Sequence, residues 1–164
     1  MVENQNKALT IDKFNRYLES KGCRKTPERY AILDEILGID GHFDVETLGD
    51  SMAQSGYKVS KTTIYNNLEL LEACGIVLRH TFLAHTVYEK AEGKAQHIHF
   101  VCNVCGKVKD VRDSDLIRYL NTKKYSAFNA ERYSVTVYGI CNSCARKTKK
   151  NKSQQCMQES KPNK

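Results

Sequence analysis

The chain has 164 residues, 40% of them apolar, which is enough for one medium-sized domain or two small ones. No apolar run is long enough to span a bilayer, and the N-terminus lacks the apolar core of a secretory signal, so we expect a cytoplasmic protein with no membrane partner. The formal charge of +7 is concentrated after residue 144, where seven basic residues face one acidic residue. Net charge therefore argues only weakly for nucleic-acid binding.

Four helices are predicted in the first half of the chain, because capping residues, glycines and apolar residues at helical spacing recur there. Their predicted caps are Thr10, Thr26, Asp44 and Ser60, and their predicted ends lie near Gly22, Gly38, Gly56 and Gly75. In the fourth helix, Ile64, Leu68 and Leu71 form the inward stripe. We expect these helices to share one core.

After Gly75 the apolar period changes to two, which predicts strands over residues 76–82 and 86–90 joined around Leu83 to His85. Helices followed directly by a β-hairpin predict a winged helix-turn-helix DNA-binding domain over residues 1–91. Residues 92–95 have no periodicity and contain a glycine, which indicates a hinge.

The second half of the chain is predicted to be a small α/β dimerisation and metal-binding domain over residues 96–148, so the fold class is α+β. Strands are expected at residues 97–101, 107–111 and 131–140, with an amphipathic helix at 114–124. The last strand could provide an edge for pairing two protomers. Residues 149–164 are polar and basic and predict a disordered tail.

Two cysteine knuckles carry the strongest chemical signal in the sequence. Cys102 and Cys105 form one knuckle, and Cys141 and Cys144 form the other. Four thiolates at this spacing can close a tetrahedron around a structural Zn²⁺. A redox dithiol is the competing interpretation, but that motif is expected once and beside a strand-helix-strand pattern. Cys23, Cys74 and Cys156 have no partner at ligand spacing.

The helix before the hairpin is the predicted recognition helix, since in a winged helix this element reads base edges from its N-terminal half. The polar positions that we expect to face DNA are Lys58, Lys61, Thr62, Tyr65 and Asn66. Asn66 can bind adenine through two hydrogen bonds, and Tyr65 can pack on a thymine methyl group. The alternative is a solvated polar face on an ordinary helical bundle.

A second metal constellation is predicted from nitrogen and oxygen donors. His97 and His99 lie on one face of a strand, and pairing Val101 with Val108 would place Asp110 opposite His99. His42 and Glu89 are candidates from the first half, each of which could instead be a surface residue. His80 and His85 are taken as non-ligands. Such donors suit Fe²⁺, Mn²⁺ or Zn²⁺ in a reversible sensor site.

The residues resemble the ferric uptake regulator (Fur) family from about Gly22 to Cys144. The matching segments are residues 22–29, 62–68, 75–80 and 97–107. The resemblance implies a homodimeric, metal-responsive repressor that binds a double-stranded DNA operator and has no enzymatic activity. It assigns His42, Glu89, His97, His99 and Asp110 to an inter-domain regulatory site, the four cysteines to zinc, Tyr65 to base contact and Arg24 to the minor groove.

The sequence departs from the family pattern in three places. Where many iron sensors have a further site in the dimerisation domain, this chain has Gln96, Ile98, Ile117 and Tyr133, so that site is expected to be absent. Asn66 follows the recognition tyrosine where the family often has arginine. Glu89 with Asp110 is a mixture of the iron-sensing and peroxide-sensing patterns, which leaves iron, haem-linked iron supply, zinc and peroxide open as signals.

Two rival classes remain at the level of sequence. A metallohydrolase needs an open coordination position with a general base, and nothing in the sequence indicates one. A zinc-dependent RNA-binding protein needs exposed stacking aromatics on its sheet, for which Tyr133 and Tyr138 are candidates.

Overall fold

The computed structural model describes residues 2–83, 85–91, 96–130 and 133–147. The elements are α1 (Val2–Ser20), α2 (Pro27–Gly38), α3 (Val45–Gln54), α4 (Lys61–Ala73), β1 (Val77–Phe82), β2 (His85–Lys90), β3 (Ile98–Cys102), β4 (Val108–Val111), α5 (Ser114–Thr122) and β5 (Val135–Gly139). The chain divides into two compact units, Met1–Lys94 and Ala95–Lys164. The predicted hinge at 92–95 and the predicted tail at 149–164 lie outside the described residues.

The first helix is longer than predicted, since α1 begins at Val2 and continues through Thr10. The Thr10 hydroxyl donates to the carbonyl of Asn6, one turn earlier in the same helix, at 2.9 Å. Thr10 therefore lies inside α1 and does not cap a helix. A long-range contact anchors the helix, because Lys13 Nζ donates to the carbonyl of Gly75 at 2.8 Å. The ammonium of Lys13 thereby compensates a carbonyl just beyond the C-terminus of α4.

Helices α2, α3 and α4 begin where their caps predict. Asp44 accepts the backbone N–H of Thr47 at 2.7 Å, and Ser60 accepts that of Thr63 at 3.1 Å. Thr26 occupies the cap position of α2 without a side-chain cap bond, and Pro27 fixes the first helical residue. Their inward faces and α1 form one apolar core, whose fully buried members include Phe14, Leu18, Ile32, Leu33, Ile36, Leu48, Met52, Ile64, Leu68 and Leu71.

The wing is an antiparallel hairpin in which Leu78 pairs with Glu89 and His80 with Val87. It begins one residue later than predicted, at Val77, and resumes one residue earlier, at His85. An isolated bridge between Phe43 and Tyr88 was not predicted; it is held by N–H to carbonyl bonds of 2.9 and 2.7 Å. The bridge ties the loop before α3 to the wing.

The second unit contains a three-stranded sheet in the order β4-β3-β5. Strands β3 and β4 pair antiparallel with Val101 opposite Val108 and His99 opposite Asp110, which is the predicted register. Strands β3 and β5 pair parallel, with Cys102 opposite Gly139. The sheet therefore has β3 at its centre, bonded on both sides.

Several predicted boundaries in this unit are wrong. Strand β3 covers Ile98–Cys102 and not residues 97–101, β4 begins at Val108 and not at Lys107, and α5 ends at Thr122 and not at residue 124. The last strand covers only Val135–Gly139; Tyr133 and Ser134 are irregular, and residues 131–132 lie outside the described part of the chain. Only five residues of β5 pair with β3 in the parallel ladder, and this pairing limits the length of β5. Residues 142–147 form a short helix that the sequence pattern did not predict.

Candidate metal centres and DNA-facing helix

The two cysteine knuckles converge because β3 and β5 run in the same direction. Cys102 ends β3, and Cys141 follows Gly139, the residue opposite Cys102, by two positions. Parallel strands bring their carboxyl ends to the same sheet edge, so residues far apart in sequence meet there. The four sulfurs of Cys102, Cys105, Cys141 and Cys144 all lie within 4.8 Å of one another. The structure thus assembles the predicted thiolate set.

Backbone donors organise this cluster. The N–H of Cys141 donates to Cys102 Sγ at 3.3 Å, and the first knuckle closes through Gly106 N–H to the Cys102 carbonyl at 2.9 Å. Gly106 has a φ of 69°, a left-handed conformation that glycine adopts at low cost. A zinc tetrahedron with bonds near 2.3 Å requires sulfurs about 3.8 Å apart, and Cys105 and Cys141 are separated by 3.9 Å.

The thiols of the cluster differ strongly in acidity. Hydrogen bonds from the backbone of Cys141, Cys105 and Val104 lower the pKa of Cys102 to about 6. Hydrogen bonding with neighbouring thiols, above all Cys141 and Cys105, raises the pKa of Cys144 to about 12. One thiolate forms easily, whereas a full set of thiolates repels itself unless a cation sits among them. The cluster suits a permanently bound, soft-ligand ion such as zinc.

In the second unit, His97, His99 and Asp110 lie together. His97 Nε2 lies 3.1 Å from His99 Nε2 and 3.8 Å from Asp110 Oδ1. The β3–β4 register delivers the carboxylate to the imidazoles, as expected for residues opposite one another. His99 is 3% exposed. These three side chains offer two nitrogens and a carboxylate to one metal ion.

In the first unit, His42 and Glu89 lie together at the wing. His42 Nε2 is 3.7 Å from Glu89 Oε2, and the Phe43–Tyr88 bridge positions both residues. Glu89 is 2% exposed. The other carboxylate oxygen of Glu89, Oε1, lies 2.8 Å from Nε2 of His80, a residue that sequence reasoning set aside. The register of the hairpin could have predicted this contact, since His80 and Glu89 lie on the same face of neighbouring strands.

The predicted DNA-contacting residues Arg24, Lys58, Lys61, Thr62, Tyr65 and Asn66 are all exposed. Tyr65 exposes half of its surface, while Ile64 and Leu68 on the opposite face are buried in the core. Lys61 is not an isolated cation, because its Nζ lies 2.6 Å from Glu46 Oε1 on α3. That hydrogen bond raises the pKa of Lys61.

The positions at which many iron sensors carry a further site are occupied here by Gln96, Ile98, Ile117 and Tyr133. Gln96 Oε1 accepts a hydrogen bond from Asn121 Nδ2 at 2.9 Å, and Ile98 is buried. Isoleucine and amide side chains are poor metal ligands. The expectation that this site is absent stays a prediction.

The first unit is a set of helices that ends in a β-hairpin wing, and the second unit carries a cluster of four cysteines. This combination is typical of a DNA-binding regulator that also binds metal ions. The chain belongs to the ferric uptake regulator family, whose sequence profile matches residues 20–138. It is a metal-responsive transcriptional repressor of that family. The predicted α+β fold with a winged helix and a four-cysteine cluster is confirmed.

Named relatives include both iron and peroxide regulators. The ferric uptake regulation protein of Legionella pneumophila is 31% identical over 134 residues, which cover 79% of this chain and 97% of the relative. The peroxide operon regulator of Bacillus subtilis is 26% identical over 136 residues, covering 79% and 90%. The structure of the ferric uptake regulator from Pseudomonas aeruginosa with manganese is 27% identical, with a TM-score of 0.66 over 78% of this chain and 97% of that chain.

None of the described helices has the length and apolar character needed to cross a membrane.

The acidity pattern of the cysteine cluster predicts how many protons leave when Zn²⁺ is added to reduced, metal-stripped protein. At pH 7.5 we expect one zinc per chain and release of about one to three protons, because Cys102 is already ionised while Cys144 is not. Affinity should fall as the pH falls through 6, where protons compete for Cys102 as well. Calorimetry in buffers of different ionisation enthalpy measures this release. A value near zero would contradict the raised pKa of Cys144, and a value near four would contradict the lowered pKa of Cys102.

Proposed function

We propose that one divalent ion joins the two units of this repressor, held by His42 and Glu89 from the first unit and by His97, His99 and Asp110 from the second. The observation that carries the proposal is the proximity of His97 Nε2 to His99 Nε2, at 3.1 Å, and to Asp110 Oδ1, at 3.8 Å. Three donors from one unit leave coordination positions to be filled, and His42 with Glu89 supplies a matching imidazole and carboxylate. Fe²⁺, Mn²⁺ and Zn²⁺ all accept such donors.

The consequence of sharing an ion is a fixed arrangement of the DNA-binding domain. A bound ion contributes ligand bonds that exist only when both units supply their side chains, so its binding energy favours one geometry over others. In a homodimer this geometry sets the spacing between the two recognition helices, which must match half-sites on duplex DNA. Without the ion, the protein is expected to bind its operator weakly.

We assign a structural Zn²⁺ to Cys102, Cys105, Cys141 and Cys144. The sulfur separations and the need for a cation among four thiolates support this assignment. A permanent ion at the carboxyl ends of β3 and β5 would hold these strands in register. This role is separate from that of the regulatory ion, whose nitrogen and oxygen donors exchange metal more readily.

We also propose that the second unit pairs two copies of the chain. Its exposed apolar side chains include Phe128 (71% exposed), Ile140 (58%), Tyr119 (56%) and Tyr138 (49%), and β5 is an edge strand of the described sheet. Exposed apolar side chains grouped in this way are typical of surfaces that contact another protein. A repressor of this kind acts on chromosomal DNA, so we place it in the cytoplasm. None of the proposed roles requires a catalytic step.

The proposed DNA contacts are Arg24, Lys58, Lys61, Thr62, Tyr65 and Asn66. Their exposure at and around the N-terminal half of α4 supports this assignment. Thr62, Tyr65 and Asn66 are suited to base edges, whereas Lys58 and Lys61 are suited to phosphates and Arg24 to the minor groove.

A peroxide-sensing repressor is the second candidate, favoured by the similarity to the Bacillus subtilis peroxide operon regulator and by the carboxylate Asp110. In that case Fe²⁺ at the same ligands would react with peroxide, and histidine oxidation would release DNA.

The metal switch is tested with a palindromic duplex selected from a randomised pool by the Mn²⁺-loaded protein. At fixed salt, saturating Mn²⁺ should tighten binding by about 5- to 150-fold, the usual range of allosteric coupling. His99→Ala should abolish this gain because it removes a ligand, whereas His85→Ala, at the exposed start of β2, should retain it. Unchanged affinity of the native protein with Mn²⁺, Fe²⁺ and Zn²⁺ would refute the switch. Preference for single-stranded RNA would favour the RNA-binding alternative.

The ion pair between Glu46 and Lys61 predicts that Glu46→Gln strengthens DNA binding severalfold. The substitution removes a negative charge near phosphate and releases Lys61 to neutralise one more phosphate, so the salt dependence should steepen by about one ion. Filter binding between 50 and 200 mM salt measures both effects. Glu69→Gln, in the C-terminal half of α4, is the matched control and should change little. Weaker binding by Glu46→Gln would show that the pair positions Lys61 productively.

The peroxide candidate predicts oxygen addition to His42 or His97 when the Fe²⁺-loaded protein meets hydrogen peroxide, since oxidants generated at iron attack its ligands first. Peptide mass spectrometry identifies the modified residue. The Mn²⁺-loaded protein and His85, which is not a proposed ligand, serve as controls. Unmodified His42 and His97 after loss of the bound iron would eliminate this candidate.

A further inference from the structure

The aromatic cluster of the wing contains a histidine that the proposed ligand set does not use. His80 and Phe82 lie two positions apart on β1 and therefore on the same face. Their rings stack at a centroid distance of 5.4 Å and an interplanar angle of 4°. The His42 ring meets both edge-on, at 6.0 Å from His80 and 6.1 Å from Phe82. Phe82 is 4% exposed, so this face of the wing is a packed surface.

The imidazole of His80 is directed at Glu89. Nε2 of His80 lies 2.8 Å from Oε1 of Glu89, whereas the other oxygen, Oε2, is the one nearer His42. A carboxylate oxygen accepts hydrogen bonds, so the tautomer that fits carries its proton on Nε2. The two oxygens of Glu89 thus have different neighbours.

We propose that His80 is a positioning residue for the regulatory metal, holding Glu89 by one carboxylate oxygen so that the other is presented beside His42 for monodentate coordination. This inference rests on the proposed function, because it takes Glu89 and His42 to be ligands. Groups that hydrogen-bond to a ligand fix its orientation and raise affinity without touching the ion. The stack on Phe82 restricts the rotation of His80, so its N–H stays aligned with the carboxylate.

The same contact connects the metal ligands with the wing. His80 belongs to β1 and Glu89 to β2, and the two residues are diagonal neighbours across the hairpin. The Phe43–Tyr88 bridge attaches the segment that carries His42 to the same strand β2. An ion bound by Glu89 and His42 would therefore be linked through His80 to both wing strands.

Replacement of His80 by two amides separates hydrogen bonding from packing. Glutamine places its side-chain N–H group where Nε2 of histidine lies, whereas asparagine places it nearer the Nδ1 position. Both amides, like alanine, lose the stack on Phe82. A role in packing alone would therefore weaken metal binding in all three variants, and a role as hydrogen-bond donor would spare glutamine.

The test measures Mn²⁺ dissociation constants by the electron paramagnetic resonance signal of free Mn²⁺, on protein whose cysteine site is filled with zinc. We expect His80→Ala and His80→Asn to weaken binding by about 10- to 100-fold and His80→Gln to stay within about threefold of the native protein. His85→Ala, in the same hairpin, should match the native protein. Equal weakening by all three His80 variants, or no weakening by any, would overturn the inference.

Two further measurements distinguish the possible failures. If His99→Ala also leaves Mn²⁺ affinity unchanged, the proposed regulatory site itself is wrong; if His99→Ala abolishes binding while His80→Ala does not alter it, only the role of His80 is wrong. Nitrogen NMR of zinc-loaded protein without Mn²⁺ gives an independent readout. We expect the Nε2–H tautomer of His80, with a proton that exchanges slowly with water because it is hydrogen-bonded and that exchanges faster in Glu89→Ala. The Nδ1–H tautomer would contradict the proposed hydrogen bond.

Discussion

The double pairing of strand β3 is the constraint on which the second unit depends. On one side, its antiparallel partner β4 places Asp110 opposite His99; on the other, its parallel partner β5 brings the second cysteine knuckle to the end of the strand. Only two residues separate His99 from Cys102, so one short strand carries a member of each proposed metal set. Loss of register with β4 would displace Asp110 from the histidines, and loss of register with β5 would displace the second cysteine knuckle, because a shift of one residue reverses the face on which every side chain lies.

The two proposed sites suit a metal ion in different roles, one structural and one regulatory. The cysteine cluster contains a thiol that ionises readily and another that resists ionisation, so its full set of thiolates depends on a resident cation. In the proposed regulatory site the histidine and carboxylate donors come from both units, so occupancy of that site by a metal ion would act as a signal. A fold of this size can thus use one ion as a structural support and another as a ligand that reports concentration.

Much of this arrangement could be predicted from local patterns. The caps Asp44 and Ser60, the change of period after Gly75 and the pairing of Val101 with Val108 each depend on neighbours a few residues away, and the structure contains all of them. The wrong predictions concern contacts that capping and periodicity patterns do not specify. Thr10 is a residue type that often caps helices, but it lies inside α1. The length of β5 is set by its parallel pairing with β3, whose residues lie 37 positions earlier in the chain. His80 is predicted to be a non-ligand, and its place on the hairpin face brings it to Glu89.

The central claim is that His42 and the pair His97 and His99 bind the same ion. Pulsed electron-nuclear double resonance on the Mn²⁺-loaded protein, with histidine labelled by nitrogen-15, counts the imidazole nitrogens bound to the metal. Shared coordination predicts three bound imidazoles in the native protein and two in His42→Ala, with zinc retained by the cysteines in both. Two bound imidazoles in the native protein, unchanged by His42→Ala, would show that the ion belongs to the second unit alone and would contradict the claim.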